Sequence, residues 1–146
     1  MQRIMLVGET GSGKRQLIRA LSGGAHAPRR ALSVEYLEPF ILTPGEFLEN
    51  RRCYRALITC SLECRVILFL HNAVKRASLF PPEFASVFNR PVIGVITGTE
   101  APKADICLSQ RFLHNTGVFM ILPVNFTNPA DIEKLRAVIF RTVNKV

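Results

Sequence analysis

A short apolar run, Arg3-Ile4-Met5-Leu6-Val7, passes directly into Gly8-Glu9-Thr10-Gly11-Ser12-Gly13-Lys14-Arg15. A stretch of helical spacing, Gln16-Leu17-Ile18-Arg19-Ala20-Leu21, then leads to Gly23-Gly24. Strand, glycine loop and helix in that order form the setting of the phosphate-binding motif GxxxxGK[ST]. Each retained part has a physical reason. Gly8, Gly11 and Gly13 permit a backbone whose successive N–H groups turn inward on a polyphosphate. Lys14 adds a point charge, and the following helix adds its positive dipole end. The competing reading, a glycine-rich turn that holds nothing, has no use for Lys14. The candidate ligand-binding residues are therefore Gly8, Glu9, Thr10, Gly11, Ser12, Gly13, Lys14 and Arg15. Only the last position departs from the motif. A guanidinium has five donors and no acceptor, so Arg15 cannot ligate a cation as a hydroxyl would, although it can bind a phosphate directly.

Further apolar runs at 65–70, 92–96 and 118–122 are short, rich in Val, Ile, Leu and Phe, and separated by stretches of helical spacing. That alternation predicts parallel strands buried on both faces of a three-layer α/β domain. Phe40-Ile41-Leu42 adds a strand, with Val34-Glu35-Tyr36 as an edge partner. Helices are predicted near 14–22, 52–61, 83–88, 103–115 and 129–143, the last capped by Asn128 with Pro129 in its first turn. The 146 residues are read as one domain. In such sheets ligands sit at the carboxyl ends of the strands, which places the loops after Val7, Leu42, Leu70, Ile96 and Leu122 at one edge.

Composition narrows the function classes. No apolar run approaches the ~20 residues of a membrane span, and no signal-peptide pattern is present, so a cytoplasmic protein is expected. The four cysteines, Cys53, Cys60, Cys64 and Cys107, lack metal-site spacing and are read as reduced thiols; no metal site is assigned. The net charge of +8 is spread in small groups, Arg29-Arg30, Arg51-Arg52-Arg55 and Lys75-Arg76, without interleaved aromatic residues. A dedicated nucleic-acid site is therefore not expected, and an acidic partner or a nucleotide's phosphates fit the charge better.

Two loops at the predicted edge carry further signals. Leu42-Thr43-Pro44-Gly45-Glu46 has the shape of the DTPGE element of GTPases, in which the glycine N–H senses the terminal phosphate, but Leu42 stands at the aspartate position. Glu46 stands where many GTPases orient water, yet its charge would oppose the phosphate, so no catalytic role is assigned to it. Thr97-Gly98-Thr99-Glu100 occupies the place of [NT]KxD, with Gly98 for the lysine and Glu100 for the base-reading aspartate. Gly45, Thr97 and Glu100 join the candidate binding residues, with guanine selectivity in question.

These residues resemble the small P-loop proteins of ethanolamine and propanediol utilisation, the EutP and PduV family. The similarity runs through Arg3–Gly8, through Thr43-Pro44-Gly45-Glu46-Phe47-Leu48-Glu49-Asn50-Arg51, through Tyr54–Thr59 and through Asn89–Thr97. The resemblance implies a Ras-like G domain working with bacterial microcompartments, in assembly or positioning rather than in the main metabolic steps. It also shows a pattern of losses. Arg15, Leu42 and, by a looser alignment, Ala31 each replace a residue whose oxygen handles magnesium in a working GTPase.

The sequence therefore predicts an accessory protein that holds a purine nucleotide, GTP, GDP or ATP, weakly or without magnesium. It is expected to act through a protein partner, a microcompartment shell protein or enzyme, with Arg51, Arg52 and Arg55 as the contact. The alternative is an active nucleotide hydrolase or ATP-dependent small-molecule phosphotransferase, with Asp105, Glu100 or Glu9 supplying a carboxylate. An RNA- or membrane-surface binder driven by the +8 charge is the third reading. His71, Asn72, His114 and His26 lack a matching nucleophile or paired carboxylate and are read as loop structure. The sequence does not specify an oligomeric state.

Overall fold

The computed structural model describes residues 2–24 and 33–144. Arg29, Arg30, Ala31 and His26 lie outside the described residues. Among those described, the strands are β1 (Ile4–Val7), β2 (Glu35–Leu37), β3 (Phe40–Leu42), β4 (Val66–Asn72), β5 (Val92–Thr97) and β6 (Met120–Pro123). They form one sheet of order β2-β3-β1-β4-β5-β6. All neighbours pair in parallel except β2, which runs antiparallel to β3 at the edge. The helices are α1 (Lys14–Leu21), α2 (Glu46–Glu49), α3 (Tyr54–Ser61), α4 (Ile106–His114) and α5 (Pro129–Asn144). The fold is the expected α/β one.

Side-chain alternation along the central strands feeds two cores. Ile4, Leu6, Leu68 and Leu70 point to the face covered by α1 and α5, where Leu17, Ile18, Leu135 and Ile139 meet them. Met5, Val7, Ile67 and Phe69 point to the other face and pack with Leu57 of α3 and Leu113 of α4. This rigid platform presents the carboxyl ends of β1, β3, β4 and β5 side by side. The start of α5 follows the sequence reading, with Asn128 Oδ1 accepting the Ala130 N–H at 3.0 Å.

Segment 83–88 differs from expectation. It is a single 3-10 turn, Phe84–Val87, rather than a helix. Pro81 and Pro82 remove two backbone donors just ahead of it, and Glu83 adopts a left-handed φ of 58°. Glu83 and Ala85 then donate their N–H groups outward, to Asn115 and Thr116 carbonyls, both at 2.8 Å. The four-residue spacing of Phe80, Phe84 and Phe88 serves an aromatic cluster instead. Phe80 stacks on Phe69 at 4.6 Å between centroids, and Phe88 meets Phe84 edge-on at 5.3 Å.

Other boundaries shift for local reasons. The fourth helix begins at Ile106, not 103, because the Asp105 carboxylate caps it, accepting the Leu108 N–H at 3.0 Å. The third is preceded by a 3-10 turn, Arg51–Cys53, whose start is capped by Asn50. The last strand covers Met120–Pro123 instead of 118–122.

Candidate phosphate-binding site

Residues 8–14 connect the end of β1 to α1 as a loop folded around its own lysine. Gly13, immediately before the helix, has φ 97°, a left-handed conformation in which a side chain is strained. A Cβ there would also come within 3.1 Å of the Thr97 hydroxyl. That hydroxyl donates to the Ser12 carbonyl at 2.6 Å, so the end of β5 props the loop from below. Asn72, at the end of β4, adds a second prop: its Nδ2 donates to the Gly11 carbonyl at 3.2 Å, while its Oδ1 accepts the Val74 N–H.

Lys14 is buried beneath the loop and donates from Nζ to the Gly8 carbonyl at 2.6 Å and the Glu9 carbonyl at 3.1 Å. Burial brings its pKa down to about 8, partly offset by the nearby Glu49 carboxylate; the Arg15 charge lowers it further, and Glu46 and Glu9 act in the opposite direction. The ammonium form is thus retained near neutral pH, close to its titration.

Above Lys14 opens a cavity of about 700 Å³, lined by residues 10–16, by 42–46 and by Asn72. Such a volume falls in the range of small-ligand sites, about 300–1,000 Å³. The second wall comes from β3 and α2. Leu42 is both cavity wall and core residue, 2% exposed, and the Thr43 hydroxyl is tied to the Leu6 carbonyl at 2.7 Å. Gly45 lies flush against the phosphate loop: a Cβ on it would sit 2.4 Å from the Thr10 nitrogen. Glu49, one turn on, accepts the Thr10 N–H at 2.9 Å. Hydrogen bonds from the Thr10 backbone and side chain hold its carboxyl below the usual carboxylate range.

The structure thus gathers Thr10, Gly11, Ser12, Gly13, Lys14, Arg15 and Gly45 on one cavity, with Gly8 and Glu9 in the loop behind Lys14. Thr97 is a buried support under the loop, and Glu100 is exposed on the turn after β5; neither is on the cavity wall. Asn72 and Glu49 are the residues to which sequence reasoning gave no site role. Glu49 was visible as a carboxylate one helical turn after Gly45, but its partner lies 39 residues away in sequence. His71 lies within β4 and not in a loop: its ring is buried, its Nε2 faces the Ala77 carbonyl at 3.1 Å, which makes that nitrogen the donor, and its Nδ1 meets the Ser109 hydroxyl at 2.9 Å.

The geometry suits a phosphate better than a metal. A glycine loop leading into the N-terminus of α1 and a buried ammonium fit an anion. At the two described positions where a magnesium site of this fold would draw on an oxygen, the side chains are the guanidinium of Arg15 and the aliphatic Leu42, which do not fit a cation. Among the described residues, no group of three or more His, Cys, Asp or Glu side chains is placed to hold a metal.

Comparison with known proteins gives consistent matches. The PduV-EutP family profile, described as "Ethanolamine utilisation - propanediol utilisation", matches residues 1–141. The chain is 39% identical to "Propanediol utilization protein PduV" of Citrobacter freundii, over 76% of this chain and 71% of that protein. It is 31% identical to "Probable acetate kinase EutP" of Escherichia coli (strain K12) and 33% identical to the protein of the same name from Salmonella typhimurium, in both cases over 92% of this chain and 87% of the other.

Proposed function

The chain belongs to the PduV-EutP family of ethanolamine and propanediol utilisation, and from that premise we propose that it is a GTPase-like accessory protein of this metabolism whose loop holds a nucleotide's phosphates without a protein-bound magnesium ion. The observation that carries this reading is the pairing on one cavity of Arg15 with Leu42, a cation and a hydrocarbon where a metal-dependent site needs oxygens. Lys14 and Arg15 neutralise the phosphates by direct charge, the role magnesium plays in a metal-dependent GTPase. Phosphoryl transfer depends on charge neutralisation and positioning, so a site of this kind is better suited to holding a nucleotide than to hydrolysing it. The reading places the protein with a microcompartment shell protein or enzyme as its partner, contacted through the exposed Arg51, Arg52 and Arg55 just beyond α2. Thermal unfolding with ADP, ATP, GDP and GTP, each in magnesium and in EDTA, tests it. Stabilisation should be equal in the two conditions for the native chain, and should become magnesium-dependent in Arg15→Ser, which restores the hydroxyl. Stabilisation of the native chain only in magnesium contradicts the reading.

A second reading, an ATP-dependent phosphotransferase acting on a small carboxylate, is favoured by the printed names of the Escherichia coli and Salmonella relatives. Trapping acyl phosphate with hydroxylamine after incubation with ATP and acetate decides it. Product that vanishes in Lys14→Ala supports the transferase, and no product above the Lys14→Ala background supports the accessory role.

A further inference from the structure

The loop's anion-binding capacity is already partly used by the protein itself. The Thr10 N–H, a backbone donor of the loop, is committed to Glu49 Oε2 at 2.9 Å. Glu49 is exposed, but its backbone is seated. It ends a helix anchored by Leu48, 2% exposed, and by Phe47 packed against the core, and Gly45 at the start of that helix abuts Thr10. The contact also fixes which end of the loop is involved. In GTPases the glycine at the Gly45 position senses the terminal phosphate, so on the reading of this loop as a phosphate site Thr10, which Gly45 abuts, belongs to the outer-phosphate end. Glu49, Glu46 and Glu9 each favour the charged form of Lys14, and Arg15 is the second cation of the loop. Each additional phosphate on a ligand brings more negative charge toward that outer end, where a fixed carboxylate opposes it.

Resting on the reading of this site as a phosphate site, we propose that Glu49 is a specificity-determining residue: its carboxylate stands where a third phosphate would settle, so the loop takes a nucleoside diphosphate in preference to the triphosphate. The ligand class is thereby narrowed to the diphosphate form, with the triphosphate admitted only at the cost of displacing Glu49 from Thr10.

The test is calorimetric titration of the native chain, Glu49→Gln, Glu49→Ala and Lys14→Ala with ADP, ATP, GDP and GTP in EDTA, each variant first checked for an unaltered unfolding transition. Glutamine keeps an acceptor for the Thr10 N–H and removes only the charge, so it separates electrostatics from packing. In Glu49→Gln the affinity for triphosphates should rise about tenfold or more, while that for diphosphates moves by less than about threefold; Glu49→Ala should behave alike. A triphosphate-to-diphosphate ratio unchanged within about twofold in both variants overturns the proposal, as does a gain confined to Glu49→Ala. Binding that depends on Lys14 but not on Glu49 leaves the phosphate site standing and removes only this inference. No binding of any nucleotide to the native chain or the Glu49 variants removes both.

Discussion

Lys14 concentrates the chemistry of the site in one titratable atom. Its ammonium is buried and held by the Gly8 and Glu9 carbonyls, and burial has lowered its pKa to about 8. A phosphate pairs with the ammonium and not with the neutral amine. Affinity for a phosphate ligand should therefore be level from neutral pH up to the region of that pKa, then fall by up to about tenfold per unit above it. Titrations at a series of pH values in one ionic strength check this; affinity that stays level up to pH ~10 would mean that Lys14 does not contact the ligand. A neighbouring residue departs from the metal-binding form of the motif. Arg15 is only partly buried at the cavity mouth and supplies charge where the motif ordinarily supplies a hydroxyl, while Leu42 has become part of the apolar core. Both replacements were legible in the sequence because the motif fixes what those positions do. Glu49 was not, since nothing within its own segment marks Thr10 as its partner.

At the scale of elements, the site is a junction between the β1–α1 loop and its supports at the ends of β4 and β5 and in α2, and two of these have a measurable consequence. The Thr97 hydroxyl at the end of β5 carries the Ser12 carbonyl, so Thr97→Val should cost about 1 kcal/mol, read as a fall of about 3–5 °C in Tm, and should weaken phosphate binding without touching the ligand. The other of the two is α2. Adding a methyl group at Gly45 drives it to 2.4 Å from the Thr10 nitrogen, a backbone atom that cannot turn aside, so Gly45→Ala should push α2 off the loop and cost about 1–3 kcal/mol by denaturant unfolding. An unaltered transition midpoint would show that α2 is not seated there. The elements themselves were read with uneven success for a physical reason. Strands buried on both faces announce themselves as continuous apolar runs, and β1, β3, β4 and β5 were placed within a residue or two. The 83–88 segment carries apolar residues at helical spacing, but its phenylalanines answer to Phe69 across the core and its Glu83 and Ala85 N–H groups go to the Asn115 and Thr116 carbonyls.

Over the whole molecule, six strands bring to one sheet edge groups that are far apart in sequence: Asn72 reaches a loop carbonyl 61 residues away, and Thr97 one that is 85 away. Such pairs are set by strand order and register and are not written in any local pattern, which is why the loop was legible from sequence while its supports were not. The chain belongs to the PduV-EutP family, a family of ethanolamine and propanediol utilisation, and the charge of +8 accords with a protein whose ligand or partner is anionic. The central claim is that this fold keeps the phosphate grip and dispenses with the metal. Titration calorimetry of the native chain and Lys14→Ala with GDP, GTP, ADP and ATP, in magnesium and in EDTA, tests it most directly. The account predicts binding that is the same within about twofold with and without magnesium and is lost in Lys14→Ala. Guanine-selective binding that requires magnesium, or binding that survives the loss of Lys14, would contradict it.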